Sequence, residues 1–98
     1  MDVGVARLEH PLVAEIVPSA HCVLRFRQRM PVRNPGVAEV ADALIAALEA
    51  ADVSGWPPAW AVSDRPAEQW AVTGNMAFPL ARTADPRRWV ALTCLRRK

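Results

Sequence analysis

One amphipathic stretch, Val37 to Leu48, sets the terms on which this chain can fold: Asn34-Pro35 precedes it and Gly55-Trp56-Pro57-Pro58 follows it. Val37, Val40, Ala41, Leu44, Ile45 and Leu48 share one face at helical spacing, and Glu39, Asp42 and Glu49 share the other. Asn34 is a natural helix cap, and Pro35 suits the first helical position, where its missing N–H does no harm. Gly55 and the two prolines end the pattern. Such a helix must bury its apolar stripe, and 98 residues have room for one core, so a single domain over residues 1–98 is expected. The acids of the other face turn to water and make this helix a scaffold rather than a nucleic-acid surface.

The flanks read differently. Residues 1–10 look like a flexible lead-in, and Leu12 to Val17 is a short apolar run ending at Pro18, a first strand or an extended approach. Ser19 can cap a helix to about Met30, where Pro31 stops it. After Pro58 the texture becomes β-leaning: Ala59–Val62, Gln69–Thr73, Met76–Leu80 and Trp89–Leu95. These runs are separated by the turn-forming Asp64-Arg65-Pro66, Gly74-Asn75 and Ala84-Asp85-Pro86. Gly74-Asn75 predicts a tight hairpin, and Pro79, which cannot donate a ladder bond, predicts an edge, a bulge or a strand end. The predicted fold is α+β: two N-terminal helices on a four-stranded, mainly antiparallel sheet, with room for an additional N-terminal strand.

The 52% hydrophobic content argues against disorder, and because much of it is alanine and valine the core should be close-packed from small side chains. Trp60, Trp70 and Trp89 are expected as core anchors, and Trp56, between Gly and Pro, as exposed. No apolar run approaches the ~20 residues of a membrane span, and the first residues lack a secretion pattern, so no membrane partner and a cytoplasmic location are expected. Cys22 and Cys94 are far apart, with no Cys-x-x-Cys or paired-His spacing. Buried free thiols are expected and a disulfide stays open; neither a metal nor a cofactor is implied.

Charge is segregated. Arg25, Arg27, Arg29 and Arg33 fall in an acid-free stretch, residues 36–69 are acidic, and Arg82, Arg87, Arg88, Arg96, Arg97 and Lys98 face only Asp85 near the end. Brought together, the two basic blocks would attract a polyanion with strongly salt-dependent affinity. Arginine outnumbers lysine eleven to one, which biased genome composition can also produce. On a helix, His21, Arg25, Gln28 and Arg29 fall within an arc of roughly 100°, beside an apolar arc of Cys22, Val23, Phe26 and Met30. One edge docks and the other offers cations.

His21, Arg25 and Arg29 on a first helix, a second helix with Val-Ala-Glu-Val-Ala-Asp-Ala-Leu, and a closing Trp-Val-Ala-Leu-Thr-Cys-Leu together resemble the small RelE/BrnT-like toxin superfamily over residues 18–98. The resemblance implies metal-independent RNA cleavage, in which a 2′-hydroxyl attacks the adjacent phosphate. It also implies catalytic roles for His21, Arg25, Arg29 and Thr93, contributions from Arg82 and Arg97, and a cognate antitoxin as partner. Cys22 stands where such relatives often carry alanine. Arg27, Arg33, Arg82, Arg88 and Arg97 are the candidate RNA-binding residues.

That chemistry needs a base, an acid and cations around the phosphorane. His21 suits either proton role and arginine forks supply the charge. The chain has no tyrosine, and Glu68 is the one acid expected near the sheet, so no complete acid–base pair is evident. Two other readings stand beside it: a non-catalytic protein-interaction module acting through its sheet, as in a phage or mobile-element adaptor, and a homodimer formed across open sheet edges.

Overall fold

The computed structural model describes residues 4–62 and 66–97. The elements run β1 (Ala6–Arg7), β2 (Glu15–Pro18), α1 (Ala20–Arg29), α2 (Val37–Glu49), β3 (Asp52–Ser54), β4 (Gln69–Thr73), β5 (Met76–Arg82), β6 (Arg88–Ala91) and β7 (Leu95–Arg96). The strands form one seven-stranded mixed sheet in the order β1-β2-β6-β5-β4-β3, with β7 also on β5, and it curls into a half-barrel. This corrects the expected four-stranded, mainly antiparallel sheet: strands dominate, and β2 pairs in parallel with β6 through Ile16 opposite Trp89 and Val17 opposite Val90.

The differences have local causes. Ala59–Val62 forms no strand; the edge is β3 instead, which pairs with β4 through Val53 opposite Ala71. Asp52-Val53-Ser54 is too short to show alternation, so its pairing is decided by β4 rather than by its own sequence. Within the segment expected as a lead-in, Ala6 and Arg7 pair with Ile16 and Glu15. The turn expected at Asp64-Arg65 lies outside the described residues.

Helix α1 begins where its cap predicts. The Ser19 hydroxyl accepts from the Cys22 N–H (3.0 Å) and donates to the Leu92 carbonyl (3.0 Å), and Arg27 and Arg29 occupy the last turn, where the helix dipole favours cations. Helix α2 starts two residues later than Asn34-Pro35 suggests, with Gly36 as its cap. Asn34 instead takes φ +53, a left-handed conformation that asparagine tolerates, in the bend between the helices. Val40, Leu44 and Leu48 then bury one stripe of α2.

The core joins that stripe to Cys22 and Phe26 of α1 and to Ile16, Ala71, Phe78, Leu80, Trp89 and Ala91 on one face of the sheet. The other face is not bare, since Trp70, Ala77 and Pro79 are also buried. Gly74, at φ +56, is the first residue of the two-residue link that makes Thr73 and Met76 partners. Pairing in steps of two from there turns the Pro79 backbone away from β4, and its carbonyl accepts the Leu92 N–H at 2.9 Å.

Pro79 has no N–H to return, and opposite it the ladder breaks. Between the pairs Leu80/Ala91 and Ala77/Leu95, β5 has two residues where the partner strand has three. The extra residue is a bulge at Leu92-Thr93-Cys94, separating β6 from β7. Helix α1 spans this break: Ser19 holds the Ala91 and Leu92 carbonyls, and Arg29 Nε donates to the Cys94 carbonyl at 3.1 Å.

Candidate anion-binding face

The C-terminal end of α1 gathers the first basic block and meets part of the second. Arg25 and Arg27 leave opposite flanks of the helix, Arg33 stands in the bend beyond, and all three are exposed. Arg96 Nη1 donates to the Arg29 carbonyl (3.4 Å), and the Arg97 N–H to the Asn75 carbonyl (2.7 Å), so β7 and the β4–β5 hairpin tip adjoin this end. Arg25 Nη1 reaches Gln28 Oε1 of its own helix at 3.3 Å. Among the described residues no carboxylate lies within ion-pair distance of Arg25, Arg27, Arg29, Arg33, Arg96 or Arg97.

The ion pairs lie elsewhere. Glu15 takes both Arg7 (3.4 Å) and Arg88 (2.8 Å) across β1, β2 and β6, and Arg82 pairs with Glu68 at 2.8 Å. The Arg82 guanidinium also lies 5.0 Å from the Trp89 ring centroid. Along β5, Arg82 is six residues from Met76, the partner of Arg96, a separation of about 20 Å at strand rise. The two basic blocks therefore meet only in part: Arg96 and Arg97 join α1, while Arg82 and Arg88 are paired and distant.

The residues named for catalysis are also divided. His21, Arg25 and Arg29 follow one another along α1 over about 12 Å. Thr93 sits in the bulge with 6% exposure. His21 is half-buried in the first turn, two residues from the cap, and Arg29 is committed through Nε to the Cys94 carbonyl. The arrangement can hold anions; it does not present base, hydroxyl and cations on one exposed surface.

Sequence reasoning missed a groove at this end. Phe26, Arg29, Met30, Pro31, Ala43, Asn75, Met76 and Arg96 enclose about 260 Å³, with apolar walls and two arginines. A larger, open concavity of about 570 Å³ lies between β1, the end of α2 and β3, lined by Glu9, His10, Glu49 and Asp52 among others, and holds none of the candidate residues. His10 Nδ1 there already accepts the Leu12 and Val13 N–H groups at 3.1 Å each. Among the described residues no three His, Cys, Asp or Glu side chains are placed to share a metal ion, and no helix is long and apolar enough to cross a membrane.

Both thiols are free and fully buried. Burial pushes Cys94 from its ordinary 9.0 up to about 11, against the opposing pull of Arg29 and Arg96. Burial raises Cys22 as well, and the nearby Cys94 thiolate would add to it. The unfolded chain releases these protons near pH 9 while the folded one keeps Cys94 protonated to about pH 11, so stability is complete below pH 9 and falls above it. The expected loss from Cys94 alone is roughly 2–3 kcal/mol by pH 11. Urea midpoints at rising pH check this, and Cys94→Ala should flatten the decline; with no tyrosine and one lysine, few other groups titrate in that window.

No protein family, curated protein or solved structure compared with the chain matches it.

Proposed function

We propose that this is a small RNA-binding protein that engages the phosphate backbone through the arginine-rich end formed by α1, the bend after it and β7. The observation that carries the reading is the asymmetry of pairing. Every ion pair among the described residues belongs to Arg7, Arg82 or Arg88, while six guanidiniums at the other end have no carboxylate. Like charges so arranged repel one another, and a polyanion relieves that repulsion while releasing its own counterions. Arginine forks match phosphate geometry better than lysine would.

The resemblance to RelE/BrnT-like toxins extends this reading toward a ribonuclease whose antitoxin would cover the same cationic end. Cleavage would rest on His21 with Arg25 beside it on the helix, since Thr93 is buried and Arg29 is engaged. Growth arrest on expression that disappears in His21→Ala, with folding retained, would support it; a harmless wild type that yields no RNA fragments would leave binding alone.

Binding itself is tested by fluorescence anisotropy of a labelled single-stranded RNA across a salt series. Contact by six arginines predicts a slope of log affinity against log salt of about −4. A flat salt response, or no binding at low salt, would overturn the proposal. One observation favours a protein-interaction module instead: Trp56 (81% exposed) and Val62 (86%) follow the edge strand β3, whose outer side has no neighbouring strand among the described residues.

A further inference from the structure

We infer that the groove between the end of α1, α2 and the β4–β5 hairpin is a binding site for a small carboxylate with an apolar body. The site shares Arg29 and Arg96 with the RNA reading but does not rest on it.

The walls fix the character of the body. Phe26, Met30, Pro31, Ala43 and Met76 present hydrocarbon and thioether surface, and methionine adapts to ligands of irregular shape. The volume, about 260 Å³, fixes its size. A cavity of ~150 Å³ already holds benzene, so the groove has room for a six-membered ring with a short chain.

The rim fixes the charge. Arg29 is half-buried, a costly place for a guanidinium without a counter-charge. Its Nε–H is spent on the Cys94 carbonyl, which anchors the planar fork at the wall of the groove that Arg29 lines. Arg96 is drawn to the same place by its bond to the Arg29 carbonyl. Two held guanidiniums with no carboxylate partner among the described residues, above an apolar floor, form a recognition site for one planar anion, which a fork binds through two parallel hydrogen bonds. Asn75 at the hairpin tip completes the lining with an uncharged amide.

The probe is 3-phenylpropionate, titrated into the folded protein and followed by backbone amide chemical shifts, with 3-phenylpropan-1-ol and acetate as controls. Phenylpropionate is expected to saturate with a Kd on the order of 1 mM or tighter, moving the amides of Asn75, Met76 and Arg96. The alcohol lacks the charge and acetate lacks the body, and each is expected to bind at least about tenfold more weakly. Arg96→Gln should weaken phenylpropionate by a similar factor while leaving the Arg29 anchor in place, and Ala43→Leu should fill the groove and abolish binding. The inference fails if wild type does not saturate, if the alcohol binds equally, if Arg96→Gln changes nothing, or if the shifts map to Arg25, Arg27 and Arg33 instead. Should Ala43→Leu not fold, the Arg96→Gln comparison decides alone.

Discussion

Replacing Trp89 with alanine is expected to remove about 3–5 kcal/mol of stability, the largest loss of any single substitution considered for this chain. The indole is 1% exposed and sits on β6, between Ile16 of β2 and Arg82 of β5. Truncation opens a cavity where the parallel and antiparallel parts of the sheet join, and close-packed neighbours relax only partly into such a space. It also takes away the Nε1–H that donates to the Leu12 carbonyl at 3.0 Å, and the ring beneath Arg82. A domain of this size is stable by about 5–15 kcal/mol, so the variant keeps a narrow margin. Its melting temperature should fall by roughly 15–30 °C, with the urea midpoint lowered and the slope unchanged. Trp89→Phe retains most of the apolar body and should lose far less. Trp56→Ala, at an exposed position, should change stability by under about 0.5 kcal/mol. A loss from Trp89→Ala no greater than from Trp56→Ala would remove this ring from the core.

The second large effect concerns binding. Combining Arg25→Ala, Arg27→Ala and Arg33→Ala is expected to weaken RNA affinity on the order of 100-fold at low salt, at about 1 kcal/mol for each phosphate contact. The salt slope should also fall by about 2. These side chains are exposed and none is held by another element, so urea unfolding of the triple variant should match wild type. The control is the pair Arg82→Ala and Arg88→Ala, which removes the same kind of charge from residues already neutralised by Glu68 and Glu15. It should leave affinity within about twofold. Equal losses in the two variants would mean that net charge alone attracts RNA and that the end of α1 has no special part.

The helices were legible because their signals are local. Ser19 before an amphipathic run and Pro31 after it specify α1 without reference to the rest of the chain, and the Val40, Leu44 and Leu48 spacing does the same for α2. The hairpin was legible through Gly74-Asn75. The wider sheet was not, because β1 and β3 have two and three residues and acquire strand geometry only from their partners. Parallel pairing of β2 with β6 joins segments with no sequence signal for one another.

The site was harder to read for a related reason. In an uninterrupted strand from Trp89, alternation would put Arg96 on the face away from Trp89. The additional residue at Leu92-Thr93-Cys94 reverses that parity, so Arg96 shares the helix side of the sheet with Met76 and reaches Arg29. Pro79 marked where a bulge could fall, but which side chains it would re-aim depends on the neighbouring strand. The pairing of Arg82 and Arg88 with Glu68 and Glu15 was hidden for the same reason, since it depends on register across strands.

The position of β6 between β2 and β5 has a kinetic consequence. Glu15 and Arg88 are neighbours across 73 residues of chain, so the inner side of β2 stays open until the chain through β6 has left the ribosome. Closing so long a loop must precede any reward from the contacts it makes, which slows folding relative to a helical bundle of equal length. Until then the nascent chain exposes Ile16 and an unfilled strand edge, the condition in which molecular chaperones recognise their clients.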